Sequence, residues 1–291
     1  METKEFYKNR LQQVVSYLRS KYNEKISIKE LEEFSNFSYR NLQRVFKAYY
    51  KETIGAYVTR IKVENGAKML VYSSTEIKLI AEEVGYSDVQ TFSKSFKNHF
   101  GISPAKYRNK KEELFQKKNQ INIEIMPFFE EKITVLPTKK VLYTTFKGDY
   151  NSTKLTTIWD EFLEEASAQN ININTAECFG IIWDEPSISE AINYDYDACI
   201  EVNFTEKIPQ KKFKVKTIPE QCYAVFTHVG SYQSISKTYD KIFTRWLFTT
   251  NFEVSEKPFI EKYIKHEGNT NNESEFETEI YIPLKKTISQ H

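Results

Sequence analysis

The sequence is short of cysteine: Cys178, Cys199 and Cys222 are the only three in 291 residues. They form no CxxC pair and have no histidine at metal-ligand spacing, so no metal site is indicated and the thiols are expected to be reduced and mostly buried. Glycine is nearly as scarce, with eight residues scattered along the chain. No GxGxxG or GxxxxGK[ST] occurs, which removes the usual phosphate-binding loops. His99, His228, His266 and His291 lie far from any nucleophile motif. No apolar run approaches the roughly 18 residues of a membrane span, and METKEFYKNR lacks the apolar stretch of a signal peptide. These absences point to a soluble, cytoplasmic chain that needs no cofactor or metal and is not an enzyme.

Proline and tryptophan are missing from particular regions. Of eight prolines only Pro104 lies before residue 127, and Trp159, Trp183 and Trp246 all lie after it. The front is therefore expected to be helical and the back strand-rich. The net charge of +1 divides in the same way. Residues 1–118 hold 23 Lys+Arg against 14 Asp+Glu, a net of +9, and residues 119–291 hold 18 against 26, a net of −8. A basic front and an acidic back call for different partners. The length fits two domains, with boundaries expected at 1–110 and 123–291 around a charged, apolar-poor linker over 111–122.

In the front, Phe6, Leu11, Val14, Val15, Leu18 and Tyr22 follow helical spacing. SIKELEEF announces a second helix, with Ser27 as cap and Glu30 placed to complete a capping box. SYRNLQRVFKAYYKE begins again at Ser38, giving helix, tight turn and helix, the order that sets one helix in a DNA groove. At 100° per residue, Leu42, Val45, Phe46 and Tyr49 share one face of this helix and Arg40, Arg44, Lys47 and Lys51 the opposite one. About 50 residues later IKLIAEEVGYSDVQTFSKSFKNHFG repeats the pattern, Asp88 matching Ser38. Here Val89, Phe92, Phe96 and Phe100 form the apolar face and Gln90, Thr91, Lys94 and Asn98 point outward. IGAYVTRIKVENGAKMLVYS between the copies reads as one joining helix.

The stretch IAEEVGYSDVQTFSKSFKNHFGISPAKYR resembles the signature of AraC/XylS-type transcription regulators, with Ile80, Ala81, Gly85, Tyr86, Phe92, Phe96, Lys97, Phe100, Gly101, Pro104 and Tyr107 at the expected positions. The resemblance covers the front ~110 residues and implies an all-α domain of two helix-turn-helix units on one face of double-stranded DNA, about one helical turn apart. It places Arg40, Gln43 and Arg44, and Val89, Gln90, Thr91 and Lys94, at base-facing positions. Arginine suits guanine, glutamine suits adenine, and Thr91 or Val89 suits a thymine methyl. Lys47 and Lys97 fall where phosphate contacts hold register. Two positions depart from the pattern: Gly66 stands for an alanine, at about 1 kcal/mol of helix propensity, and Arg40 stands where an aromatic residue is frequent.

In the back, LPTKKVLYTTFKGDY (136–150) aligns with IPEQCYAVFTHVGSY (218–232) at an offset of 82 residues. Helices over 152–168 and 233–250 follow, then the strand pairs ECFGIIWDE with PFIEKYIKH and YDACIEVNF with FETEIYIPL. The reading is an α+β domain of two β-α-β-β repeats with an antiparallel sheet, a pseudo-twofold axis and a groove between the halves. Those motifs resemble the GyrI-like effector-binding domain over nearly all of 121–287, and the two halves together resemble regulators of the Rob type.

That resemblance implies an aromatic pocket with acidic residues at its floor, a bulky and often cationic small-molecule effector, and RNA polymerase as a further partner. Residue by residue it carries over to Glu261 and Tyr263 and to Glu279 and Tyr281, with Trp183, Tyr194 and Tyr196 as walls. Trp159 and Trp246 fit helix-to-sheet packing better than walls. Were Glu261 and Glu279 to converge, one would keep its proton until a cation arrived. Two alternatives stand beside effector sensing: a small-molecule hydrolase using Glu261, Tyr263 and Glu279 as acid and base, and a back domain that binds a protein or serves only as a spacer.

Overall fold

A computed structural model describes residues 2–109, 131–150, 152–171, 173, 176–184, 188–189, 194–202 and 214–285. Residues 111–122, expected as the linker, lie outside this set. The chain divides into two units, Met1–Leu114 and Phe115–His291. No helix among the described residues is long and apolar enough to cross a membrane.

The first unit is helical throughout. Helix α1 (Glu2–Ser20) buries Leu11, Val14, Val15 and Leu18 against α2 (Ile28–Ser35) and α3 (Tyr39–Tyr50). Ser27 caps α2 by accepting from the Glu30 amide. The other half of the expected capping box takes a detour: the Ser27 amide donates to the Tyr17 hydroxyl, which donates in turn to Glu30 Oε2. Ser38 caps α3, and Glu32 also accepts from the Tyr39 amide at 2.6 Å. Leu42 and Phe46 are buried as expected, but Tyr50 rather than Tyr49 fills the core, packing on Phe46 and Tyr57 while Tyr49 stays exposed.

Helix α4 (Ile54–Tyr72) is buried along most of its length because both helix-turn-helix units pack on it. The second unit is α5 (Ile77–Glu83) and α6 (Val89–Phe100), joined through Gly85 at φ +79°. Gly101, at φ +76°, ends α6, and Pro104 opens the short helix α7 (104–109), where a missing N–H is harmless. Phe92 and Phe96 are fully buried, while Val89 and Phe100 are only partly so.

The second unit is one eight-stranded antiparallel sheet: β1 (Lys132–Leu136), β2 (Lys139–Lys147), β3 (Cys178–Ile182), β4 (Asp195–Glu201), β5 (Lys214–Ile218), β6 (Gln221–Val229), β7 (Phe259–Lys265) and β8 (Glu277–Pro283). Their order is β1-β6-β8-β7-β3-β4-β2-β5. The two β-α-β-β repeats are present as expected, related across the β3–β7 pair. The leading strands are exchanged between them. β1 precedes β2 in the chain but pairs with β6, and β5 precedes β6 but pairs with β2, Pro137 and Pro219 marking the two corners. Only Pro137 and Thr138 separate one edge strand from a strand next to the opposite edge. The sheet must therefore curl, since two residues span little distance.

Side chains alternate between the two faces of each strand. The inside of the curl holds Leu136, Val141, Tyr143, Phe179, Ile181, Cys199, Ile218, Tyr223, Val225, Ile260 and Tyr281. The other face carries α8 (Thr153–Ala168) and α9 (Ile235–Lys241). The expected helix over 233–250 is not uniform: α9 runs into a π turn at Ile242–Trp246 and a last turn at Leu247–Thr249.

Candidate nucleic-acid interface and effector site

On α3, Arg40, Arg44 and Lys47 are exposed and Gln43 is partly so; on α6, Gln90, Thr91, Lys94 and Lys97 are exposed and Val89 is partly so. Among the described residues none of these five cations is held by an acid, which leaves them available for phosphate or base edges. The two helices differ in charge. α3 presents a row of cations, whereas α6 begins with an ionised cap, Asp88, whose carboxyl is held below the usual aspartate range by hydrogen bonds from the Thr91 amide and hydroxyl. Turn geometry fixes α6 from both sides. A Cβ on Gly85 would stand 2.7 Å from the Asn23 carbonyl carbon, and the Lys62 ammonium of α4 donates to the Gly85 carbonyl at 2.7 Å.

In the second unit, a tyrosine network lies between sheet and helices. Tyr239 of α9 donates to Glu261 Oε1 at 2.9 Å, and Tyr263 donates to Oε2 at 2.8 Å. The hydroxyls of Tyr263 and Tyr196 are 2.6 Å apart, and the Trp159 indole of α8 donates to Tyr196 at 3.1 Å. Tyr194 joins through Tyr150, whose ring stacks on it at 4.7 Å and lies 6.2 Å from Tyr196. Tyr232 meets the ring of Tyr263 edge-on. Gly180 sits opposite Glu261 across the β3–β7 pair; a Cβ there would stand 2.7 Å from Tyr196 Cε2, so the ring can cross that strand only because the residue is glycine.

Glu261 is only 8% exposed, and among the described residues no cation pairs with it. Burial pushes its carboxyl above the usual range, against the two hydrogen bonds it accepts. Burial and the Glu261 charge likewise hold the Tyr263 hydroxyl protonated far above neutral pH. The chemistry on offer is a desolvated carboxyl among aromatic rings.

The structure divides the remaining sequence-derived residues. Glu261 pairs in register with Ile280, and Glu279 with Lys262, so the two acids point to opposite faces and do not converge. Glu279 accepts from Tyr281 at 2.7 Å inside the curl. The acid pair of the hydrolase alternative is therefore not assembled by these residues. Trp183 also faces the inside of the curl, donating to Asp197, which is further held by Lys216 at 2.6 Å and Thr145 at 2.6 Å. Trp246 packs edge-on against Phe226, as helix-to-sheet packing would have it. Trp159, by contrast, belongs to the tyrosine network. The sequence reading missed Tyr239 and Tyr150 as members; a glycine in mid-strand opposite Glu261 was the available sign that something large crosses there.

Comparison with known proteins agrees with this division. Residues 130–285 match the GyrI-like small molecule binding domain, and residues 32–110 match a helix-turn-helix domain. The lactose operon transcription activator of Staphylococcus xylosus is 30% identical over 99 residues, 34% of this chain and 36% of that protein, so the chain spans about a third of its length. The multiple antibiotic resistance protein MarA of Escherichia coli is 30% identical over 95 residues, 33% of this chain and 75% of that protein. Among solved structures, the EcmrR–DNA complex in EcmrR-RPo is 17% identical, with 94% of this chain and 100% of that one covered and a TM-score of 0.48. The chain belongs to the GyrI-like small molecule binding family and carries ahead of that domain an AraC-type helix-turn-helix unit related to MarA, the make-up of a DNA-binding transcription regulator.

Proposed function

We propose that the protein is a one-component regulator: α3 and α6 read adjacent major-groove segments of duplex DNA, and the GyrI-like unit senses a small lipophilic cation at Glu261. The observation that carries the DNA reading is the pair of capped helices on one central helix, both presenting outward polar side chains that are unpaired among the described residues. Arg40, Gln43, Arg44, Val89, Gln90, Thr91 and Lys94 are the proposed base readers, with Lys47 and Lys97 on phosphate. Selection from random duplexes with the full chain is expected to return one sequence, bound with a steep salt dependence. Arg44→Ala is expected to cost about 1–3 kcal/mol and relax preference at one base. Equal binding of every duplex by both proteins would sink this reading.

For the effector, the supporting observation is the buried Glu261 carboxyl, which lacks a cationic partner among the described residues but is ringed by tyrosines and Trp159. A lipophilic cation would supply the missing charge, and the rings would add about 0.5–2 kcal/mol of cation–π attraction. Calorimetry with tetraphenylphosphonium is expected to give saturable binding that Glu261→Gln abolishes. Binding of equal strength by both would refute the assignment, and no binding to either would favour the protein-partner or spacer readings. RNA polymerase is the further partner we assign, on the likeness to operon activators.

A further inference from the structure

The two recognition helices start on different caps. Ser38 offers α3 one hydroxyl, which among the described residues accepts only from the Asn41 amide, at 3.4 Å. Asp88 offers α6 two oxygens. Oδ1 accepts from the Thr91 amide at 2.7 Å, and Oδ2 accepts from the Thr91 hydroxyl at 2.8 Å and from Ser87 Oγ at 3.2 Å. The carboxylate is thus occupied by three donors and is poorly placed to accept from a cytosine amino group, the usual base contact of an aspartate.

The consequence falls on Thr91, which is exposed in the first turn of α6. A threonine hydroxyl has one hydrogen to donate, and here it is turned back to the cap. The thymine O4 and guanine O6 and N7 acceptors of the major groove cannot then receive it; the hydroxyl oxygen keeps lone pairs that suit only an adenine or cytosine amino group, and toward thymine what the side chain has left to offer is its γ-methyl. Building on the DNA-reading role proposed above for α6, we propose that Asp88 is a positioning residue that fixes Thr91 methyl-outward, so that α6 selects thymine through a methyl–methyl contact and not through the threonine hydroxyl. Val89, half-buried in the helix packing, is the less available methyl.

The test uses the full chain and its selected duplex, with each thymine in the half-site under α6 replaced singly by uracil, which removes only the 5-methyl. Wild type is expected to lose about fourfold at one position, the worth of one buried methyl. Thr91→Ser should bind the thymine duplex as weakly as wild type binds the uracil one, and should no longer distinguish them. Thr91→Val, which keeps a methyl and has no hydroxyl, should retain the discrimination. Asp88→Ser transplants the cap of the first unit: it keeps the helix start but frees the Thr91 hydroxyl, and should reduce the thymine-to-uracil ratio to below about twofold. Wild-type binding of the uracil duplex by Thr91→Ser is the internal control for an intact helix. The proposal is overturned if a sequence is selected but no thymine-to-uracil change in that half-site matters, if Thr91→Ser still discriminates, or if Thr91→Val alters the preferred base. Failure to select any sequence would overturn the DNA reading itself.

Discussion

A Cβ on Gly66 of α4 would stand 2.9 Å from both Cε2 and Cζ of Phe92 on α6. The glycine that departs from the family alanine, and that weakens the helix by about 1 kcal/mol in isolation, thus provides the space into which the second recognition helix sinks its central ring. Phe92 is fully buried between Tyr86 and Phe96 and has little room to yield. Overpacking of this kind costs about 1–3 kcal/mol, which outweighs the propensity gain. Gly66→Ala is expected to lower the melting temperature of the helical unit and weaken DNA binding, and adding Phe92→Leu should recover part of the loss. A higher melting temperature for the single variant would show that Phe92 moves aside freely.

Gly85 makes a stronger prediction. Its φ of +79° is strained for any residue with a side chain, and an added Cβ would also meet the Asn23 backbone. Backbone atoms of a neighbouring turn cannot rotate away as a ring can. Gly85→Ala should therefore be worse than Gly66→Ala, costing at least about 1–2 kcal/mol from the backbone alone. Hydrogen exchange should localise the damage to 77–100, with α3 protected as before. Uniform loss of protection over α1–α6 would mean that the two units fold as one and that the contact is not the local clamp described.

How much of this was legible follows from how local each determinant is. The caps Ser27, Ser38 and Asp88 and the turn at Gly85 depend on residues within a few positions, and the sequence pattern finds them. The choice of Tyr50 over Tyr49 for the core does not: both lie near the edge of the apolar stripe, and only the distant Tyr57 decides. The strand exchange of β1 and β5 was likewise hidden, because β1 pairs with residues 85–93 positions away and β5 with residues 71–79 positions away, rather than each with its neighbour in the chain. Glu261 came from the resemblance to the GyrI-like domain, but its separation from Glu279 needs the β7–β8 register. Trp159 and Tyr239 enter the network because of how two helices are rotated over the sheet, which no spacing records.

The Asp197–Lys216 pair inside the curl should govern acid sensitivity. Burial works against the Asp197 charge, but the adjacent Lys216 ammonium and the bonds from Lys216, Thr145 and Trp183 outweigh it, holding the carboxyl below the usual aspartate range. A depressed folded-state value means stability that is present above the unfolded value of about 3.9 and is lost as pH falls through it toward the folded one. Lys216 is shifted up by the same partner against its own burial, so its share is lost only at strongly alkaline pH. Lys216→Met strands a buried carboxylate and is expected to cost about 3–5 kcal/mol at neutral pH, while Asp197→Leu combined with Lys216→Met should recover most of it. Denaturant titrations of the three proteins decide the matter; equal losses in single and double variants would mean that packing, not the charge, is what Lys216 supplies.

Glu261 should show the opposite pH signature. Its folded-state value is raised above the unfolded value of about 4.3, chiefly by burial, so folding favours the protonated carboxyl and stability declines as pH rises from there through the folded value. Glu261→Gln removes that penalty and should melt at a higher temperature than wild type at neutral pH, with the difference closing in acid. A cation needs the ionised form, so its affinity should rise with pH and its binding should release a proton until the free site is fully ionised. Calorimetry in two buffers of different ionisation enthalpy, from about pH 5 to about pH 8, reads that proton directly. Buffer-independent heats and a flat affinity across the range would mean that Glu261 is ionised before the cation arrives, held so by Tyr239 and Tyr263, and that these two hydroxyls rather than the ligand supply its compensation.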